Sequence, residues 1–123
     1  MYLNLEAKDS HTIEAYSETE ICINAQIYQQ NLIVSSSELI TSWHIQSILQ
    51  LNQDTLRPLL THQPKIILIG HTLPNKFPPP STIHYLAEQQ IALECMLIGS
   101  ACRTFNVLLS EQRHVVLGII LGV

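Results

Sequence analysis

Three apolar runs separated by helix-length stretches restrict this chain more than any other feature. Lys65-Ile-Ile-Leu-Ile69 lies between Pro64 and Gly70, Ile91-Ala-Leu-Glu-Cys-Met96 follows, and His114-Val-Val-Leu-Gly-Ile-Ile120 is the third. Continuous apolarity without alternation is the pattern of a strand buried on both faces. Such strands interleaved with helices predict parallel pairs joined by right-handed crossovers. Helices are expected over 81–90, capped by Ser81 after Pro78-Pro-Pro80, and from Gly99-Ser100 to about Gln112. A shorter helix is expected from an Asp54 cap to Thr61, with Leu56, Leu59 and Leu60 inward. Pro58 then falls in its first turn, where a missing N–H costs nothing. Ile67, Leu93 and Leu108 are expected in the core.

Upstream the rhythm changes to period two. His11–Tyr16 and Ile21–Tyr28 alternate apolar and polar side chains, and Leu32-Ile-Val34 forms a short third run after Gln29-Gln-Asn31. Alternation with short polar breaks predicts antiparallel strands. They either form their own small sheet or extend the main one. The fold class is therefore α/β in the mixed α+β sense. One domain over 1–123 carries a central mixed sheet with parallel strands flanked by helices, plus a small N-terminal antiparallel β layer. A chain of 123 residues allows one such domain and hardly a second.

Composition removes several classes of function. Apolar residues make up 46% and charged residues 13%, so the chain has ample surface to bury and is not disordered. Six Lys+Arg against ten Asp+Glu leave a net charge of −4. No basic stripe is available to a phosphate backbone, so no nucleic acid is expected. Cys22, Cys95 and Cys102 are odd in number and include no CxxC pair, which argues against a disulfide framework or a zinc site and for a reducing compartment. Residues 1–9 have neither a basic nor an apolar leader region, and the longest apolar run, Val115–Val123, is about half a bilayer span. A soluble, cytoplasmic chain that is not an integral membrane protein is expected.

The motifs that carry chemistry are sparse. Gly70-His71-Thr72 follows a buried strand, where glycine would let backbone N–H groups approach an anion, but no GxGxxG or Walker pattern accompanies it. The six histidines, at 11, 44, 62, 71, 84 and 114, show no metal-ligand spacing, and no GxSxG elbow supports a Ser/His/Asp triad. Ser35–Ser37 reads as turn chemistry. Cys102 falls in the first turn of the last helix beside Arg103, a setting that favours a thiolate. It also shares a helical face with Phe105 and Leu109, which favours a buried thiol. Arg103 and Asn106 sit at i, i+3, placed either to bind an anion or to tie the helix to neighbouring backbone. No catalytic residue, cofactor or metal is assigned, and the reading leans away from an enzyme.

These residues also carry a resemblance. Ile69-Gly70-His-Thr, Phe77-Pro78-Pro79, Met96, Ala101-Cys-Arg-Thr-Phe-Asn-Val-Leu108 and Glu111-Gln-Arg113 are similar to the signature of an uncharacterised family of domains of unknown function. That family includes the mitochondrial respiratory complex I assembly factor 3 and many small bacterial and archaeal proteins. The chain departs from the family pattern at Thr72, Leu97, Phe105 and Gln112, where glycine, aspartate, tyrosine and glycine are usual. The resemblance implies a small β layer beside a three-layer α/β core, with no established enzymatic activity. Together with the missing catalytic constellation, it points to a protein-interaction or assembly module with protein partners, and leaves self-association open. The alternative is a small-molecule or anion-binding protein. In an open α/β sheet, ligands collect at the carboxyl ends of parallel strands. An anion-accepting crevice is expected there, formed by Gly70, His71, Thr72, Ser100, Cys102, Arg103 and Asn106.

Overall fold

The alternation of the first thirty residues produces three short strands. In the computed structural model, which describes residues 11–122, these are β1 (Ile13–Tyr16), β2 (Ile21–Ile23) and β3 (Gln26–Tyr28), an antiparallel sheet in the order β1-β2-β3. The opening segment read as lacking a leader lies outside the described residues. The run expected as one strand over 21–28 is folded into a hairpin. Asn24 and Ala25 both take positive φ, 54° and 64°, as a two-residue type I′ turn requires.

The second sheet has five strands: β4 (Leu32–Val34), β5 (Leu39–Ile40), β6 (Ile66–His71), β7 (Ala92–Leu97) and β8 (Val115–Ile119), ordered β5-β4-β8-β6-β7. β6 pairs parallel with β7 and with β8, so the three apolar runs are the parallel strands that their patterning predicts. β4 joins antiparallel to β8. The leading strands thus do both things the sequence leaves open: the first three make a separate sheet and the fourth extends the main one.

Burial on both faces explains two of the runs, β6 and β8; β7, expected to be buried likewise, stands at the edge of the sheet, where its residues are half-buried or exposed. Leu68, Val115, Leu117 and Ile119 point into one core with Ile13, Ile21, Ile23, Phe105 and Leu109. Ile67, Ile69, Val116 and Ile120 point the other way, into a core with Trp43, Leu56, Leu59 and Leu86. Ile67 is fully buried, whereas Leu93 and Leu108, expected beside it, pack at the margins. Three helices complete the layers: α1 (Gln53–Leu60), α2 (Pro80–Ala87) and α3 (Ile98–Ser110). The core that α3 fills takes residues from both sheets, while α1 and α2 supply Leu56, Leu59 and Leu86 to the core on the other face.

The helix starts differ from expectation for local reasons. Asn52, not Asp54, caps α1: its Oδ1 accepts the N–H groups of Asp54 and Thr55 at 2.9 and 3.0 Å, and Thr55 Oγ1 accepts from Asn52 N at 2.9 Å. This reciprocal pair is a capping box. The helix therefore starts earlier than expected, and Pro58 lies beyond its first turn. Pro79 stands at the cap of α2 and Pro80 opens it, a position suited to a residue without an N–H, so Ser81 is already helical. Ile98, rather than Gly99-Ser100, opens α3 directly from the end of β7.

Candidate functional site

At the carboxyl edge of the five-stranded sheet, β6 ends at His71 and β7 at Leu97, which face each other in register. With no loop between β7 and α3, the first turn of α3 lies against this edge. A cavity of about 240 Å3 opens there, lined by His71, Leu97, Ile98 and Gly99 and walled on the other side by Tyr16, Ser17 and Glu18.

The seven residues expected to form an anion crevice divide between this edge and the core behind it. Gly70 lies inside β6 rather than in a turn. A Cβ there would stand 2.9 Å from Ala101 Cβ and 3.3 Å from Ile98 Cα, so this glycine lets α3 approach the strand. Cys102 is fully buried. Burial pushes its thiol up to about 12, against a smaller opposing pull from Arg103; the core setting prevails over the thiolate-favouring one. Asn106 bonds the backbone of β1, accepting from Ile13 N at 2.8 Å and donating to Ile13 O at 3.0 Å. It ties α3 to the small sheet.

The others remain near the cavity. His71 is buried, and its Nδ1 accepts the N–H of Leu73 at 3.1 Å. Desolvation lowers its pKa, which keeps the ring neutral. Thr72 lies alongside Gly122. Ser100 is exposed in the first turn of α3. Arg103 reaches across to Tyr16, donating to its hydroxyl with the guanidinium 5.9 Å from the ring centroid, and touches Ser100 Oγ at 3.5 Å. Among the described residues, no ion pair claims Arg103. Sequence reasoning missed Tyr16, Ser17 and Glu18, because nothing in a β1 pattern signals that its end folds over α3. Among the described residues, no group of three or more His, Cys, Asp or Glu side chains could hold a metal.

The edge is also apolar. Leu97 is 46% exposed, and Leu73 and Phe77, in the loop that leaves β6 at the same end, are 41% and 72% exposed.

Comparison with known proteins places this geometry in a wider group. The chain is 29% identical over 101 residues to the "13 kDa major membrane protein" of Francisella tularensis subsp. holarctica (strain LVS), covering 81% of this chain and 82% of that protein. It is 26% identical over 121 residues to "NADH dehydrogenase [ubiquinone] 1 alpha subcomplex assembly factor 3" of Drosophila melanogaster. That match takes in 95% of this chain but spans only 62% of the fly protein's length. Among solved structures, a Xanthomonas campestris protein determined by NMR superposes with a TM-score of 0.83 at 32% identity, over 94% of this chain and 88% of that one. No helix among the described residues is long and apolar enough to cross a membrane. Residues 13–120 match the model of the protein family of unknown function DUF498/DUF598, and the chain belongs to that family.

Proposed function

We propose that this chain is a non-enzymatic interaction module, an assembly or accessory factor of the cytoplasm. On this reading a protein partner sits against the carboxyl edge of the five-stranded sheet. The observation that carries it is the exposure of Leu73, Phe77 and Leu97 at that one edge. Scattered apolar residues on a surface need no explanation, but three on the segments that leave β6 and β7 at one end of the sheet suit a contact surface. The name of the fly relative, an assembly factor, supports the same reading.

A photo-crosslinking residue at position 77 tests it, with position 57 on α1 as the control. The expected result is a discrete adduct in cells from position 77 alone, weakened by Leu97→Ser. Adducts equal at both positions, or none at 77, refute it.

A second reading has its own observation: Arg103 is held by a neutral phenol rather than a carboxylate, beside a cavity that His71 lines. It would accept a small anion there, against the opposing charge of Glu18. Phosphate titration followed at the Gly99 and Ser100 amides should then shift them in the wild type and not in Arg103→Ala. Shifts that persist in the variant dismiss Arg103 from that role.

A further inference from the structure

The opposite end of the sheet holds a larger and more polar cleft. Three connections meet at the amino ends of the parallel strands: Ser35–Ser37 after β4, Thr61–Pro64 before β6, and Arg113-His114 before β8. Together they enclose about 380 Å3, at the lower end of the range for small-molecule sites.

His62 sets this cleft apart from an ordinary surface hollow. Its side chain is only 11% exposed. Its Nε2 is the buried side-chain nitrogen among the described residues that has no hydrogen bond. Glu38 Oε1 approaches to 3.4 Å but stands out of line for a hydrogen bond, and that carboxylate side chain is itself 62% exposed. Buried polar atoms are normally satisfied, and an exception calls for a missing partner.

Several other side chains on the wall can donate. Arg113 is half-exposed, and its contact with Glu111 is loose, at 3.9 Å. His114 and the Ser37 hydroxyl line the same space. The loop is braced from behind: Ser35 Oγ accepts from the N–H groups of Ser37 and Glu38 at 3.3 and 3.2 Å, and Ser35 O accepts from His11 Nδ1 at 2.6 Å. Donors arriving from three separate connections suit a ligand with acceptors in several directions. An arginine fork among them suits phosphate. A planar carboxylate would use fewer of these donors.

We propose that this cleft is a binding site for a small phosphate species, free phosphate or a compact phosphate monoester. The ligand is held by Arg113, accepts from His62 Nε2, and is bordered by His114 and Ser37. Glu38 is the group that opposes it and sets its affinity. The site is independent of the apolar edge, and each can stand without the other.

The test is NMR titration of the full chain with inorganic phosphate and, separately, glycerol phosphate, reading the Ser36, Ser37, His62 and Arg113 amides. Saturable shifts are expected, with a Kd of about 1 mM or tighter for at least one ligand. The ligand with the tighter Kd identifies the source. Arg113→Gln, on a half-exposed side chain, should weaken binding about tenfold while leaving the rest of the spectrum in place. Glu38→Gln should tighten it, and Arg57→Gln should change nothing. Shifts that never saturate, shifts confined to Gly99–Arg103, or equal affinity in wild type and Arg113→Gln overturn the proposal.

Discussion

Gly118 shows how closely single residues are fitted here. It lies in β8 beneath the indole of Trp43. A Cβ at that position would stand 2.6 and 2.8 Å from two ring carbons and 3.2 Å from Ile69 Cδ1. The indole cannot retreat freely, because its Nε1 donates to Thr55 O at 2.9 Å. Gly118→Ala should therefore destabilise the protein by about 1–3 kcal/mol, the usual cost of overpacking. Gly99→Ala meets the exposed side chains of Tyr16 and Arg103, at 3.1 and 3.2 Å, which have solvent to move into, and it gains helix propensity. Urea denaturation of both variants should show the first losing clearly more stability than the second. The thiols make a second prediction. Burial raises both Cys95 and Cys102 from about 9 to about 12. In the unfolded chain they ionise near their ordinary value, so the folded state binds more protons above it. Their contribution to stability is complete below about pH 8.5 and falls as pH rises toward 12, by up to about 1.4 kcal/mol per pH unit for each thiol. Denaturation midpoints at pH 8, 9.5 and 10.5 should decline, and less steeply in Cys102→Ala relative to its own value at pH 8. The sequence contains both settings of Cys102; only the packing of Phe105 and Leu109 around it decides between them.

The elements show where their ends come from. None of the four glycines takes a positive φ, while Gln63, Gln90 and Gln112 do, at 52°, 62° and 59°. Each follows the C-terminus of a helix. At α3 the pattern is complete: Gln112 N donates to Leu109 O at 2.9 Å and Arg113 N to Leu108 O at 3.0 Å, the two bonds of a Schellman motif. A Cβ is disfavoured in that conformation and glycine is not. Gln63→Gly, Gln90→Gly and Gln112→Gly should each stabilise the protein by about 0.5–1 kcal/mol; Gln63 and Gln112 flank the same cleft, so that pair is where additivity should fail first. Thermal denaturation of the three singles and the triple checks this. The same residues explain why helix ends were hard to read. Glutamine is a good helix former and carries no stop signal, so the last helix was expected to run to Gln112, two residues past its end at Ser110. β6 and β8 were legible because two-sided burial leaves an unbroken apolar run; β7 reads the same way but stands at the sheet edge, half-buried. The two-residue hairpin turn was not, because Asn24-Ala25 lacks the usual glycine.

At the scale of the whole molecule, the two sheets share one core through α3. Ile21 of the small sheet and Leu117 of the large one lie in the same cluster around Phe105, while Trp43 belongs to the cluster on the far face. Ile21→Ala should cost about 2–5 kcal/mol. Trp43 fluorescence and far-UV circular dichroism should still report one coincident transition. A separate early step in circular dichroism would mean that the small sheet unfolds alone. The family was legible in the Ala101–Leu108 run, which packs against both sheets, and residues 13–120 match that family's model. The candidate crevice was legible only in part. Carboxyl-end logic pointed to one edge, where Gly70, Cys102 and Asn106 seat α3, while at the far cleft Ser35–Ser37 read only as turn chemistry and Arg113 only as part of the family resemblance.

The β6 strand runs from one of these regions to the other. Its six residues, Ile66 to His71, span about 20 Å at 3.3 Å per residue, roughly two Debye lengths at physiological salt. It is hydrogen-bonded along its length on both sides, with no hinge between. A charge arriving near Arg113 should thus be invisible at Leu97, and a partner docked at Phe77 should leave phosphate affinity unchanged. The coupling free energy between the ends should be near zero in both directions, as reciprocity demands. One small domain would then report two occupancies as a simple sum.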